Sequence, residues 1–258
     1  MTTPQPNVYS IFENGVLRIV INRPDRMNAL TTEALQGLSA IFDDHVSGGT
    51  VRVAVLEGQG RAFCTGADLA GVTPSGPPPS DTIDAANDLV EAIRAFPVPV
   101  IAAVRGPAAG VGVSLALACD LTLAAESSYF LLAFTKLGLM PDGGATALVA
   151  ASIGRARAMR MALLAEKLPA QDAFDSGLIS AVCPDDTFDD ILDELLQQVA
   201  SGSSKAFQLT KDAINDATLT ELDAAFSRER VGQIGLLSGP DFAEGLAAFQ
   251  GKRAAVFR

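Results

Sequence analysis

The chain has 258 residues, enough for one large domain or for one domain with a helical appendage, and enough to bury a sizeable core. Nineteen basic residues against 30 acidic ones leave a formal charge of −11 with no basic run, which argues against nucleic-acid and anionic-membrane partners. There is one histidine, His45, so a Ser-His-Asp site, a Cys-His site or a zinc site built on two histidines must use that residue or be absent from the chain.

Two β-type runs, 8–13 and 16–22, flank Asn14-Gly15, a dipeptide that supplies the positive φ of a tight hairpin turn. Thr31 or Thr32 then caps a helix whose apolar positions Ala34, Leu38, Ile41 and Phe42 lead at the same spacing to His45, and Gly48-Gly49 stops it. That spacing puts His45 on or beside a packed helix face. A compact apolar strand over 51–56 precedes a glycine-punctuated loop from 58 to 71 and a Pro-rich stretch over 74–79 that is not regular structure. A helix over 81–96 leads through Pro97 and Pro99 into a strand over 100–104, and the unit repeats with a helix near 110–118 and a strand over 121–124. Strands alternating with helices indicate an α/β class with buried strands. Helices follow at about 144–152, 155–165 and 170–176, with a short strand over 179–182, and from 187 onward the chain reads as almost wholly helical. Ser201-Gly202-Ser203-Ser204 is the best internal boundary, dividing a core over 1–200 from a helical region over 201–258.

Cys64, Cys119 and Cys183 lie far apart and form no CxxC, which points to reduced thiols rather than a disulfide framework or metal knuckle. The first fifteen residues lack a basic segment followed by an apolar one, and the longest apolar stretches fall well short of ~20 residues, so the expected compartment is the cytoplasm.

Three glycine-rich turns follow strands, over 61–69, 105–114 and 138–146. None is a P-loop and none completes GxGxxG. Glycine beside a helix start lets backbone N–H groups approach a ligand oxygen, and two such groups aimed at one point make an oxyanion hole; the same glycines also simply permit tight turns.

Asn22-Arg23-Pro24 with Met27-Asn28-Ala29-Leu30, the run Ala62-Phe63-Cys64-Thr65-Gly66-Ala67-Asp68-Leu69, Val104-Arg105-Gly106 through Gly110-Val111-Gly112 to Cys119-Asp120, and Leu137-Gly138-Leu139-Met140-Pro141-Asp142-Gly143-Gly144 stand in the order of the signatures of the crotonase, or enoyl-CoA hydratase/isomerase, superfamily. The chain resembles that superfamily over nearly its whole length, as far as Phe249-Gln250-Gly251-Lys252-Arg253. The resemblance implies a right-handed spiral of ββα units with a C-terminal helical region that builds homotrimers or homohexamers. It implies an acyl-CoA thioester as substrate, with no metal and no cofactor beyond the coenzyme A that the substrate carries. By position, the backbone N–H groups of Ala67 and Val111 would hold the thioester oxygen and stabilise the enolate. Met27, Ala62, Leu69, Gly110 and Pro141 would border the substrate, with the helix over 85–96 and the Pro-rich loop walling the acyl chain. Arg26 and, from a neighbouring subunit, Lys252 would meet the coenzyme A phosphates; both types are also ordinary surface charges.

Hydratases of this superfamily use two glutamates, one to orient and deprotonate water and one to deliver a proton to carbon 2. The corresponding positions here are Ser114 and Phe134, which disfavours hydration. Asp142 remains, in a stretch that resembles the isomerases of phenylacetate degradation and the Δ3,Δ2-enoyl-CoA isomerases, whose matching Asp shuttles a proton. An isomerase needs one carboxylate, whereas a Pro-Asp-Gly sequence by itself suits a turn or helix N-cap. Ser114 either holds a water near the thioester or packs as a small helix residue, Asp68 is expected to fix its loop, and Cys64 is expected to be a buried thiol.

Overall fold

The computed structural model describes residues 6–47, 49–70, 72 and 80–257. The expected stop at Gly48, the loop end at Gly71 and the Pro-rich stretch 74–79 lie outside the described residues.

Strands β1 (Val8–Glu13) and β2 (Val16–Ile21) pair antiparallel around Asn14 and Gly15, whose φ values of 51° and 83° are those the dipeptide was expected to supply. Helix α1 (Thr32–Val46) begins at the first of the two threonines, since the Thr31 side chain accepts the Ala34 N–H. His45 lies at its far end with Nδ1 2.8 Å from the Ile41 carbonyl. Next come β3 (Val53–Gly58), α2 (Asp81–Ala95), β4 (Val100–Val104), β5 (Pro107–Ala109), α3 (Val111–Ala118), β6 (Leu121–Ala125) and β7 (Tyr129–Leu131). Helix α4 (Ala145–Leu164) is two helices joined at Gly154, whose φ of 74° and ψ of 162° break the ladder where the sequence divides. After β8 (Leu168–Pro169) come α5 (Ala170–Asp175), β9 (Ala181–Cys183), α6 (Phe188–Ala200), α7 (Ser204–Thr218), α8 (Leu222–Leu237) and α9 (Pro240–Gln250).

The main sheet has the order β1-β2-β3-β4-β6-β9 and is parallel from β2 onward. Its central strands are apolar throughout because each face meets a separate core. Ala54, Leu56, Ala102 and Val104 point into the larger core, while Val53, Val55, Ile101 and Ala103 face α6 through Phe188, Leu192 and Leu196. A second sheet runs β5-β7-β8 and is continued by single bridges, Cys64 to Ala108 and Leu30 to Ala67. Each turn of chain thus places one strand in the main sheet, a shorter piece in the second and a helix outside, and the turns stack as a right-handed spiral of ββα units.

Strands β5, β7 and β8 are not expected from the sequence, having three residues or fewer and no readable period. The strand expected over 179–182 forms two residues later, at Ala181–Cys183, where it meets β6. Among the described residues no helix is long and apolar enough to cross a membrane.

The helices beyond 200 are fastened to the spiral by polar contacts. Arg52 donates to the Ala200 and Gly202 carbonyls at the end of α6. From α7, the Lys211 ammonium, 5% exposed, lies 2.9 Å from Asp120 Oδ2 and donates to the Ile93 carbonyl. Asp120 also accepts the Val100 N–H, so one carboxylate joins β4, β6 and α7. Burial pushes the Asp120 carboxyl up, against the opposing pull of Lys211. Lys211→Met should therefore destabilise the fold by about 3 kcal/mol in denaturant unfolding, because it leaves that carboxylate unpaired; adding Asp120→Asn should recover part of the loss.

Candidate active site

The site begins with a loop that the sequence reads only as a motif. Pro24–Arg26 forms one turn of 3-10 helix, and Met27 and Asn28 follow at φ 53° and 56°, a conformation that asparagine tolerates better than most residues. Asn28 is fully buried: Oδ1 accepts the Arg23 N–H at 2.9 Å, and Nδ2 donates to the Gln59 and Ala62 carbonyls at 3.0 and 2.6 Å. Arg23 in turn donates to the Ala29 carbonyl and pairs with Asp68 Oδ2 at 2.7 Å. Against the cost of burial, the Ala70 N–H and the Arg23 guanidinium hold the Asp68 carboxyl below its ordinary value. These contacts fasten the 22–30 loop to the 59–68 loop.

The bridge between Leu30 and Ala67 fixes the direction of one N–H. Leu30 donates to the Gly66 carbonyl and accepts from Asp68, both at 2.8 Å, so the pleat turns the Ala67 N–H away from Leu30. The second donor comes from α3. Gly110, at φ 56° and ψ −130°, turns the chain into the helix, and Val111, as the first helical residue, has no intrahelical acceptor for its N–H. Among the described residues no protein oxygen accepts from Ala67 or Val111. The two turns touch: a Cβ on Gly110 would lie 3.3 Å from the Gly66 Cα, and one on Gly112 would lie 2.4 Å from the Cys64 carbonyl oxygen. Glycine is required at 112 for this approach.

The third component is Asp142, in the turn before α4. Its carbonyl accepts the Ser114 hydroxyl at 2.9 Å, which anchors the turn to α3, and its Oδ2 accepts from Gln233 Nε2 at 2.8 Å. Desolvation pushes the carboxyl up to about 7, with Gln233 opposing and the negative charge of Glu229 adding to the rise. Ala67, Val111 and Asp142 all line one cavity of about 1830 Å³, larger than the pockets that hold ordinary drug-sized ligands. Leu69, Ile83, Phe134 and Leu139 give it apolar walls, and Arg26, Lys136 and Arg253 stand on its border. Two free backbone donors, one at the positive end of a helix, beside one acid of raised proton affinity form a site that can stabilise an enolate and move a proton.

A family model described as enoyl-CoA hydratase/isomerase matches residues 11–258. The chain belongs to the enoyl-CoA hydratase/isomerase family. It is 39% identical to the 1,2-epoxyphenylacetyl-CoA isomerase of Escherichia coli K12, over 97% of each chain. It is 40% identical to a probable enoyl-CoA hydratase of Rhodobacter capsulatus, over 96% of each. Among solved structures, an enoyl-CoA hydratase from Mycobacterium avium subsp. paratuberculosis K-10 superposes with a TM-score of 0.92 at 48% identity, covering 99% of this chain and 100% of that one. Hydratase and isomerase names thus occur at similar identity, and the names leave the reaction open.

In this member of the family, Arg26, Met27, Ala67, Asp68, Leu69, Gly110, Val111, Phe134 and Asp142 border the cavity. Four other positions fall elsewhere. Ala62 is buried, with its carbonyl occupied by Asn28, and Pro141 is buried behind Asp142. Ser114 is also buried, its hydroxyl used by the Asp142 carbonyl, so of its two readings the packed helix residue is correct. Lys252, expected to act from a neighbouring subunit, follows α9 in the exposed turn; Arg253, next to it, borders the cavity of its own chain, paired with Glu244 at 2.6 and 2.8 Å.

The cap reading of Asp142 is overturned, since its side chain turns to Gln233 and the cavity while a different acid serves α4. Glu229 accepts the Gly144 and Thr146 N–H groups at 2.7 and 2.8 Å and the Thr146 hydroxyl at 2.5 Å. Neither Glu229 nor Gln233 stands out in the sequence. Both sit on a helix with charged neighbours and read as solvated, although they are 1% and 2% exposed. Cys64 is buried and burial holds its thiol at about 12, so it is an inert packing residue.

Because folding raises the Asp142 carboxyl from its ordinary 3.8 to about 7, the native state holds that proton more tightly than the unfolded chain. The stabilisation is complete below the unfolded value and is lost as pH rises through about 7. Wild type should therefore lose roughly 1–4 kcal/mol relative to Asp142→Asn between pH 4 and pH 8, read from paired denaturant titrations.

Proposed function

We propose that this chain is an enoyl-CoA isomerase that moves a double bond between the 3- and 2-positions of an acyl-CoA, or isomerises a ring-containing acyl-CoA. One observation carries the reading: of the acids that line the cavity among the described residues, Asp25, Glu33, Asp68 and Asp142, only Asp142 is tied to the helix of Val111, whereas the positions of the two hydratase glutamates hold a serine bonded to the Asp142 backbone and a phenylalanine in the apolar wall. The Phe134 ring stands opposite Gly110, where a carboxylate would be needed to orient water.

In the forward direction the Asp142 carboxylate takes a proton from carbon 2 of the 3-enoyl thioester. The electron pair of that C–H bond delocalises into the thioester carbonyl, and the Ala67 and Val111 N–H groups hold the resulting oxyanion of the dienolate. The protonated carboxyl then returns the proton to carbon 4, which leaves the double bond between carbons 2 and 3 and restores the carboxylate. Proton and electron pair stay within the substrate and one side chain, so the chemistry calls for no metal or cofactor beyond the coenzyme A of the thioester. The same reading takes Arg26 as a phosphate partner. It also takes the exposed apolar residues of α4 and α7, Met159, Leu163, Leu209 and Ile214 among them, as surface for a homotrimer or homohexamer. Cys64, Cys119 and Cys183 are unpaired and buried, which suits the reducing cytoplasm.

Purified protein mixed with a 3-enoyl-CoA should develop the absorbance of a conjugated enoyl thioester, while crotonyl-CoA should keep it. Loss of crotonyl-CoA absorbance with no activity on the 3-enoyl substrate would reverse the assignment in favour of hydration. Asp142→Asn should lower isomerisation by about two to four orders of magnitude while acyl-CoA affinity, measured by calorimetry, stays the same. Turnover retained in that variant rejects Asp142 as the proton carrier.

A further inference from the structure

Helix α8 lies directly on the turn that carries Asp142. A Cβ on Gly144 would meet Leu222 Cδ1 at 2.6 Å and Phe226 Cε1 at 2.8 Å, and one on Gly232 would meet Met140 Sδ at 2.3 Å. On the same face, four residues apart, stand Glu229 and Gln233, both almost fully buried and both bonded to the turn.

The Gln233 amide has a defined orientation. The Met140 N–H, 3.2 Å away, can only donate, so it requires the amide oxygen, which leaves the NH2 group for Asp142 Oδ2 at 2.8 Å. An oxygen that receives an N–H donor at that distance cannot also point a hydroxyl proton along the same line. The carbonyl oxygen is the better acceptor of a carboxylic acid, so this donor favours Oδ2 as the carbonyl and places the acid proton on Oδ1, the oxygen that accepts from no group among the described residues. Glu229 is secured differently: three donors, from Gly144 and Thr146, converge on its carboxylate and cap α4, whose own N-cap residue is a glycine without a side chain. Burial pushes the Glu229 carboxyl up, and the Thr146 hydroxyl, the Thr146 and Gly144 N–H groups and the Arg228 charge oppose that rise, so these donors favour its ionised form.

Other charges on the surrounding elements pair elsewhere, although the Arg228 charge also pulls the Glu229 carboxyl down. Arg228 pairs with Glu221 and Arg230 with Asp84, α3 carries no ionisable side chain, and α4 has none in its first turn. Lys136 borders the cavity from the 3-10 turn 134–137 and is exposed.

We propose that Gln233 and Glu229 are the positioning residues of Asp142, Gln233 occupying Oδ2 so that Oδ1 alone exchanges the proton, and Glu229 fixing the turn and setting a second carboxyl group behind it. The proposal rests on the reading of Asp142 as the proton carrier. A single exchanging oxygen would serve both carbon 2 and carbon 4 without rotation of the carboxyl. The two residues act in opposite senses, since the Gln233 donor favours the ionised acid and the Glu229 charge disfavours it.

The test follows the acid itself as well as the reaction. Protein labelled with 13C at the aspartate carboxyl carbons is titrated by NMR, with the Asp142 signal assigned by its loss in Asp142→Asn, and kcat/KM for a 3-enoyl-CoA is measured across the same pH range. In Gln233→Met the NMR midpoint and the acid limb of kcat/KM should both move to higher pH by roughly one unit, and in Glu229→Gln both should move lower by a similar amount. If kcat falls in both variants while neither midpoint moves, the residues are only packing and the proposal is overturned. Should Glu229→Gln fail to fold by circular dichroism, Gln233→Met decides alone, with an unmoved midpoint overturning the role of Gln233. Midpoints that move as expected in a protein without isomerase activity would uphold the positioning and reject the reaction assigned to the site.

Discussion

Everything at the site depends on two backbone turns being in contact, 64–67 from one turn of the spiral and 109–112 from the next. The contact is covalently permitted only by missing side chains. Any Cβ on Gly112 would lie inside the van der Waals radius of the Cys64 carbonyl oxygen, and that oxygen cannot retreat because it accepts the Ala109 N–H at 2.8 Å. The bond from Ala109 and the bridge from Leu30 act on the two edges of the 64–67 segment, so its direction is set from both sides. The free donors at Ala67 and Val111 are thus a consequence of stacking two ββα turns at this spacing. Two unpaired N–H groups are costly when buried, and a cavity between them removes that cost while leaving both available to an oxygen.

The acid is placed by a second set of constraints that reaches much further along the chain. Ser114, on the helix that supplies the Val111 donor, holds the Asp142 carbonyl, while Gln233, more than ninety residues on, holds its carboxylate. Donor and acid are therefore tied to the same helix α3, and relative movement between them requires breaking a buried hydrogen bond. The C-terminal helices take part directly in this: α8 caps α4 and donates to Asp142 through Gln233, and α7 is locked to the sheet through Lys211 and Asp120.

The parts of this design that show in the sequence are those encoded locally. Asn14-Gly15, Thr31 and the break at Gly154 each act within four residues, and the parallel strands announce themselves because both faces are buried. Resemblance of the loop motifs to a known superfamily located Ala67, Val111 and Asp142. Strands β5, β7 and β8 escaped because their pairing is decided by neighbours in the stack and not by any period of their own. Glu229 and Gln233 escaped for a related reason: in Ser227-Arg228-Glu229-Arg230 a glutamate looks like surface, and only the packing of Leu222 and Phe226 on Gly144 turns that face of the helix inward. A buried carboxylate is recognisable once its donors are in place, and here those donors lie some 83 and 85 residues away.

The replacement of both hydratase carboxylates changes the electrostatics of the cavity as well as the count of acids. A glutamate at position 114 would stand at the buried spot where the Ser114 hydroxyl now meets the Asp142 carbonyl, and two ionised groups so close would compete for one proton. With Ser114 neutral and Phe134 apolar, the carboxyl group acting on Asp142 comes from behind, from Glu229, while Asp68, next to Ala67 on the cavity border, is paired with Arg23. An enolate is itself an anion, so it would gain from having its oxygen at two N–H donors and from the pairing of the nearby Asp68 carboxylate with Arg23. A carboxyl that exchanges a proton does so best when its affinity lies close to the ambient pH, and burial against Glu229, relieved in part by Gln233, brings the Asp142 carboxyl into that range.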